Sequence, residues 1–269
     1  MSSRGATVIR LCAATIRSAN ASAGTVKAMF PLRLRAFSSS STRLSRPPRR
    51  EITTCGSAAN AAHDCAPTIA EVLRTAPRPF EVKFVGPGTG TALTAGLLAK
   101  ATLYVQPGGD DLQRTWRDLR GSADMIRDWI RGGGSYLGLC FGGYLAGHNP
   151  GFGLLPGDTD GYAGSPGSEV PDDRDTVLKV DWQGQPRHMY FQDGPAFHLT
   201  GGANATVLAT YSNGAAAVVV ASYGNGRVGV SGPHPEATAE WYEGKGLTNP
   251  DGVRLDLARE LIERTTGQR

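Results

Sequence analysis

After residue 50, the sequence alternates between short apolar segments and segments whose apolar residues recur every three or four positions. The predicted strands of this part are Glu51–Cys55, Phe80–Val85, Thr102–Gln106 and Ser135–Leu139. The predicted helices are Pro67–Thr75, Ala92–Lys100, Ser122–Arg131 and Phe141–Ala146. Strands that alternate with helices pair in parallel and carry helices on both faces, which predicts a doubly wound α/β sheet.

A different pattern follows Asn149. Residues 156–175 are rich in Gly, Pro, Asp and Ser, which predicts a long loop that is either functional or disordered. Five strands are predicted after this loop, namely Val177–Trp182, His188–Gln192, Thr206–Tyr211, Ala215–Tyr223 and Gly226–Gly232. Tight turns such as Asn213-Gly214 join them, so we expect an antiparallel extension of the sheet and then a final helix over Leu255–Ile262.

Charge divides the 269-residue chain into two parts. Residues 1–50 contain nine Arg, one Lys and no acidic residue, whereas the rest of the chain contains 18 basic and 24 acidic side chains. The net charge of +4 therefore comes entirely from the amino-terminal segment. We expect no nucleic-acid surface on the folded part, and no membrane span, since no segment approaches the roughly 20 apolar residues that a span needs.

The amino-terminal segment has the composition of a mitochondrial presequence, with many Arg, Ser and Ala residues and with Val8, Ile9, Leu11 and Ile16 at helical spacing. Arg35-Ala36-Phe37-Ser38 is similar to a matrix processing site, with Arg two residues before an aromatic residue. We therefore expect residues 1–50 to be a presequence, and 51–269 to be the folded domain of a matrix protein. A disordered basic tail or an upstream translation artefact is the alternative.

The predicted strand Ser135–Leu139 leads through Gly138-Leu139-Cys140-Phe141-Gly142 into a predicted helix. A strand, a glycine-flanked nucleophile and a helix form a nucleophile elbow, in which Gly138 and Gly142 leave room for the sharp turn. The turn places the sulfur of Cys140 at the start of a helix, where the helix dipole favours the thiolate. A buried Cys between glycines is also a common small core residue, and this motif alone does not separate the two interpretations.

His234-Pro235-Glu236 follows the last predicted strand. Pro235 favours an extended conformation of His234, and in an extended chain residues two apart point to the same side. His234 and Glu236 are therefore expected to face one site, where the imidazole takes the thiol proton and the carboxylate orients the imidazole.

Pro107-Gly108-Gly109 follows the predicted strand Thr102–Gln106. Glycines let backbone N–H groups approach a ligand, so Gly108 or Gly109, together with the N–H of Phe141, forms a candidate oxyanion hole. A plain turn explains the same three residues equally well.

These motifs resemble the class I glutamine amidotransferases, and more closely the amidotransferase-like domain at the amino end of fungal biotin–protein ligases, which also exists as stand-alone proteins. The resemblance covers nearly all of residues 51–265. It rests on Pro107-Gly108-Gly109-Asp110-Asp111-Leu112, the stretch from Gly133 to Tyr144, Val207-Leu208-Ala209-Thr210-Tyr211, Gly226-Arg227-Val228, and Gly232-Pro233-His234-Pro235-Glu236. It implies a flavodoxin-like sheet and a Cys-His-Glu site that acts on a small carboxamide through a thioester.

Two departures from the family limit what the resemblance implies. About 33 residues follow Glu236 and no Gly-Arg-Gly-Arg sequence occurs, so we expect the chain not to attach biotin by itself. Glutamine-using relatives commonly continue the elbow with Gly-His-Gln, whereas this chain has Gly142-Gly143-Tyr144, which leaves glutamine open as the substrate. A catalytically silent binding or regulatory module with a protein partner, and a cysteine-elbow stress-response hydrolase, are the alternative functions.

The roles of the other three cysteines are less constrained by the sequence. Cys12 lies in the amino-terminal segment, and in a reducing compartment we expect no disulfide framework among the remaining three. Cys55 and Cys65, with His63 between them, follow the first predicted strand on the side of the elbow, where they are a metal pair, a redox pair or small packing residues. We expect no cofactor and no metal site.

Processing is tested at the amino terminus of the native protein. Import into mitochondria with cleavage near Phe37 and Ser38 predicts a mature chain that begins at or near Ser38. Amino-terminal sequencing measures this directly, and a native chain that begins at Ser2 would contradict the prediction.

Overall fold

The computed structural model describes residues 7–9, 65–86, 89–109 and 111–268. Its α-helices are α1 (Cys65–Arg74), α2 (Ala95–Leu98), α3 (Leu112–Leu119), α4 (Ala123–Arg131), α5 (Phe141–Tyr144), α6 (Ala239–Glu243) and α7 (Leu255–Thr266). Its strands are β1 (Thr7–Ile9), β2 (Glu81–Val82), β3 (Leu103–Gln106), β4 (Ser135–Leu139), β5 (Gly157–Gly161), β6 (Thr176–Trp182), β7 (Gln185–Phe191), β8 (Pro195–Leu199), β9 (Ala205–Tyr211), β10 (Ala216–Tyr223) and β11 (Gly226–Ser231). None of the helices within these ranges is long and apolar enough to cross a membrane.

The strands form one mixed sheet in the order β2-β1-β3-β4-β11-β10-β9-β6-β7, and β5 and β8 pair beside β10. The five strands from β2 to β11 in this order are parallel to their neighbours, and the strands beyond β11 are antiparallel. Gln106 and Val230 both pair with Gly138, so β3, β4 and β11 end at the same edge of the sheet. The doubly wound α/β sheet with an antiparallel extension, predicted from the alternating pattern, is confirmed.

Side chains of the parallel strands alternate between two hydrophobic cores, as the two-residue period of a strand requires. Val105 and Leu137 pack on one face with α1 and α7, whereas Tyr104 and Tyr136 pack on the other face with α4. The two tyrosine rings stack with their centroids 5.8 Å apart. Because the helices cover both faces, the edge at the carboxyl ends of the strands is left to form a site.

The structure corrects two parts of the predicted secondary structure, and it leaves a third untested. Thr7–Ile9 is a strand between β2 and β3, whereas the spacing of the apolar residues predicted a helix there; β-branched residues favour strands. The predicted first strand, Glu51–Cys55, lies outside the described residues. Gly226–Ser231 pairs in parallel with β4 and thus belongs to the parallel core rather than to the antiparallel extension. Cleavage near Ser38 would remove β1, so the boundary of the mature chain also decides whether this strand is retained.

Four elements were not predicted. β5 contains no apolar residue and lies inside the predicted loop 156–175, where pairing with β8 forms the strand. The other three are the strand β8 and the helices α3 and α6. The side chain of Asp111 accepts a hydrogen bond of 2.8 Å from the N–H of Arg114 and caps α3.

The turn between β4 and α5 brings two parts of the backbone into close contact. A Cβ atom on Gly142 would lie 1.7 Å from the carbonyl oxygen of Gln106, and a Cβ on Gly138 would lie 2.2 Å from the carbonyl oxygen of Gly142. Cys140 between them has φ 51° and ψ −111°, a positive φ that non-glycine residues rarely adopt. The two glycines therefore make the elbow possible, and the turn imposes backbone strain on the cysteine.

Replacing Gly142 with Ala tests this crowding. Because the methyl group would overlap with backbone atoms of β3, we expect Gly142→Ala to lower the free energy of unfolding by on the order of 2 kcal/mol or more. Gly121→Ala is the matched control, since a Cβ there meets no heavy atom within 4 Å, and its effect should stay within about 0.5 kcal/mol. Equal and small changes in chemical denaturation of both variants would show that no tight elbow exists.

Candidate active site

Cys140 follows β4 directly and presents its sulfur at the carboxyl edge of the sheet. Its side chain is buried, with 3% of the residue exposed, and its Sγ donates a hydrogen bond of 3.5 Å to the carbonyl oxygen of Gln192. Its backbone N–H donates to the carbonyl oxygen of Ser231 at the end of β11, over 2.8 Å. The nucleophile position is thus fixed to the neighbouring parallel strand by its own main chain.

His234 lies just beyond β11 and is held from two sides. Its backbone N–H donates to the carbonyl oxygen of Tyr190 over 2.8 Å, which joins it to β7 by an isolated antiparallel bridge. Its ring forms T-shaped contacts with two aromatic rings. The centroid distance is 5.1 Å to Trp241 and 6.0 Å to Tyr190. These contacts leave the imidazole one orientation beside Cys140.

Glu236 completes the arrangement. His234 Nδ1 lies 2.9 Å from Glu236 Oε1, and the two residues are 3% and 0% exposed. Within the described residues, Glu236 Oε2 has no hydrogen-bond partner. The structure therefore brings His234 and Glu236 together on one side, as their spacing predicts, and directs the remaining ring nitrogen away from the carboxylate.

The charge of His234 follows from its neighbours. Burial lowers the pKa of His234, but the charges of Glu236 and of the Cys140 thiolate, with hydrogen bonds to both, more than offset burial and raise the pKa to about 10. The ring is therefore protonated at neutral pH. The ring thus presents a positive charge to the sulfur of Cys140 on one side and to Glu236 on the other.

The glycines after β3 border the same space. A Cβ on Gly108 would lie 3.3 Å from His234 Cε1 and 3.6 Å from Cys140 Cβ, and a Cβ on Gly109 would lie 3.8 Å from Phe141 Cδ2. Phe141 is the first residue of α5, and within the described residues its backbone N–H donates to no backbone carbonyl. The structure thus places Gly108 beside His234 and Cys140, and Gly109 beside Phe141.

Sequence reasoning missed Tyr144, whose phenol interacts with Cys140, and Asp193. Burial raises the pKa of Tyr144, and the charges of Asp193, Cys140 and Asp160 raise it further, so this phenol stays neutral. Burial also raises the pKa of Asp193, which has φ 48° in the turn after β7. The Asp193-Gly194 pair is a turn signal at the carboxyl end of a predicted strand, and it could have marked this loop as part of the site.

Two other features do not join the site. A cavity of about 710 Å³ lies at the opposite edge of the sheet, lined by Arg227 near the start of β11 and by Arg264 in the last turn of α7. No group of three or more His, Cys, Asp or Glu residues in the described ranges is arranged to hold a metal ion. Of the cysteine pair considered as a metal or redox site, Cys55 lies outside the described residues together with His63, whereas Cys65 lies close to Cys140.

The chain is similar to known proteins both in sequence and in fold. Residues 55–157 match the family model described as biotin-protein ligase, N terminal. Similar solved structures include a glutamine amidotransferase (19% identity, 75% of this chain and 93% of that chain, TM-score 0.53). A glutamine amidotransferase from Thermotoga maritima (15%, 81% and 98%, TM-score 0.55) and a cytoplasmic protein from Salmonella typhimurium LT2 (16%, 76% and 87%, TM-score 0.52) are also similar. No curated protein matches the sequence. The chain therefore has the α/β fold of the class I glutamine amidotransferases, and residues 55–157 resemble the amino-terminal domain of biotin-protein ligases.

Proposed function

We propose that this protein is a cysteine-dependent amidohydrolase of the glutamine amidotransferase-like kind, which acts on a small carboxamide through a thioester on Cys140. The observation that carries the proposal is the buried chain of contacts from Glu236 to His234 to the sulfur of Cys140 at a strained elbow. A structural cysteine needs neither the positive φ nor a charged imidazole. A site that binds without turnover has no need of them either.

In the first step, the sulfur of Cys140 attacks the carbonyl carbon of the amide. His234 is the acceptor for the thiol proton, because the charges of Glu236 and Cys140 raise its pKa to about 10. Glu236 accepts a hydrogen bond from Nδ1 of His234, so the other ring nitrogen carries the proton that faces the sulfur. The carboxylate thus selects the orientation of the ring and compensates its charge.

The tetrahedral intermediate that follows carries a negative charge on oxygen. We assign the N–H of Phe141 and a backbone N–H at Gly108 or Gly109 as the donors to this oxygen, since these residues border the space beside Cys140. Loss of one such donor typically costs about 2.7–4 kcal/mol of barrier height. The absence of side chains at both glycines allows the backbone to approach the substrate closely.

The intermediate then breaks down by loss of the amine. His234 donates its proton to the leaving nitrogen, and the carbonyl carbon remains bound to Cys140 as a thioester. Water, deprotonated by the now neutral imidazole, hydrolyses the thioester and returns the proton to His234. Tyr144 stands where glutamine-using relatives commonly have Gln, so the proposal names a small carboxamide as the substrate and leaves glutamine open as one of them.

These roles predict unequal losses of activity in an assay of ammonia release from glutamine and other small carboxamides. Cys140→Ala should abolish release, and His234→Ala should nearly abolish it, because the nucleophile or its proton acceptor is lost. Glu236→Gln should leave a measurable remainder, because orientation of the ring is only weakened. His188→Ala is the matched control: His188 Nδ1 lies 3.2 Å from Asp251 Oδ2, so this change also breaks a His–carboxylate pair, but away from Cys140.

Two outcomes would refute this function. If Cys140→Ala released ammonia at the wild-type rate, the sulfur would not be the nucleophile. If the folded wild-type protein released none from any carboxamide of the panel, a binding or regulatory module would replace the enzyme as the explanation. Circular dichroism of each variant separates loss of chemistry from loss of fold.

A further inference from the structure

A second thiol borders the candidate active site. Cys65 begins α1 and is half buried, and its Sγ lies 3.1 Å from the position that a Cβ on Gly108 would occupy. The same position is 3.3 Å from His234 Cε1 and 3.6 Å from Cys140 Cβ. Cys65, His234 and Cys140 therefore surround one small space that the absent side chain of Gly108 leaves open.

Cys65 shares its surroundings with His234. It packs against the cluster that contains Tyr190, Trp241 and Tyr242, and the rings of Tyr190 and Trp241 also contact His234. The amide mechanism described above assigns Cys65 no role, although it stands as close to the Gly108 position as the two residues that react. A thiol in that place is able to react with a sulfenic acid formed on the sulfur of Cys140.

Cys140 is the thiol that an oxidant would attack first. Its sulfur faces the ring of His234, whose pKa is raised to about 10, and a cysteine beside a cation is the kind that reacts with peroxides. A sulfenic acid on such a cysteine either condenses with a nearby thiol or is oxidised further and irreversibly. The position of Cys65 favours condensation.

We propose that Cys65 is a resolving cysteine, which forms a reversible disulfide with Cys140 after hydrogen peroxide has oxidised Cys140. The thiolate of Cys140 attacks one peroxide oxygen, the O–O bond breaks, and the products are the Cys140 sulfenic acid and, after uptake of one proton, water. The sulfur of Cys65 then attacks the sulfur of Cys140, the S–O bond breaks, and the hydroxyl group leaves with the thiol proton of Cys65 as a second water. The peroxide is reduced by two electrons, one from each cysteine.

The disulfide would have a simple consequence for the site. It requires the two sulfur atoms to approach to about 2.0 Å, which consumes the nucleophile and fills the space next to Gly108. The site is then closed until a thiol reductant restores both cysteines. This inference depends on the geometry of the two thiols and is independent of whether the site hydrolyses an amide.

Peptide mapping of the full chain tests the proposal. The reduced protein is treated with hydrogen peroxide at a low molar excess at pH 7, and remaining thiols are blocked with iodoacetamide before proteolysis. We expect a cross-linked pair of peptides that contain Cys65 and Cys140, with the summed mass of the two reduced peptides less two hydrogen atoms. Treatment with dithiothreitol should restore both thiols.

Variants separate the roles of the two cysteines. In Cys65→Ser, dimedone should trap the sulfenic acid on Cys140, and further oxidation should make Cys140 unrecoverable by dithiothreitol. In Cys140→Ser, Cys65 should remain a thiol at the same peroxide dose. Cys55→Ser is the matched control and should still form the Cys65–Cys140 cross-link.

Any of three results would overturn the proposal. Cys65 could be found linked to Cys12 or Cys55 instead of Cys140. Cys140 could be oxidised irreversibly in the wild type as fast as in Cys65→Ser. Cys140 could also resist a peroxide dose that oxidises free cysteine. Mapping of unoxidised protein in parallel identifies any disulfide that was present before treatment.

Discussion

The buried pair of His234 and Glu236 is the interaction on which the site depends. A carboxylate that is 0% exposed requires a positive partner, and the imidazole at 2.9 Å is that partner. Removal of one member of a buried ion pair typically costs about 3–5 kcal/mol, because the other charge is left buried without compensation. The same pairing keeps His234 charged and thereby acts on the sulfur of Cys140. Stability and reactivity thus rest on a single contact.

The sheet brings the members of the site together from distant parts of the chain. Gly138 pairs with Gln106 on one side and with Val230 on the other, so the residues that follow each of these strands meet at one edge. Glycines allow the close approach: the elbow touches the end of β3 so tightly that a single methyl group at Gly142 would overlap with backbone atoms. The parallel register and the glycines are therefore as necessary to the site as the reactive side chains.

The sequence predicted those parts of the molecule whose pattern is local. Ser135–Leu139 is a strand with the predicted bounds, because a short apolar run between Gly134 and the elbow is typical of a buried strand. The spacing of His234 and Glu236 predicted their common direction, because an extended chain fixes it. These features needed no knowledge of the rest of the chain.

Features that depend on tertiary contacts could not be predicted from the sequence. β5 has no apolar residue and exists because β8 pairs with it. The approach of Cys65 to Cys140 depends on where α1 begins relative to the turn at Gly108, which no periodicity encodes. Asp193 lies in a turn with positive φ, and its charge acts on Tyr144.

The most direct measurement of the central claim is the protonation of His234, observed through the ¹⁵N signals of its ring. We expect the wild-type ring to carry both protons at pH 8, because its pKa is raised to about 10, and to lose its second proton at a much lower pH in Glu236→Gln. His188 serves as an internal reference in the same spectra. If the ring of His234 titrates near pH 6.5, the usual value for histidine, in both proteins, then no charged pair exists and the activated cysteine is excluded.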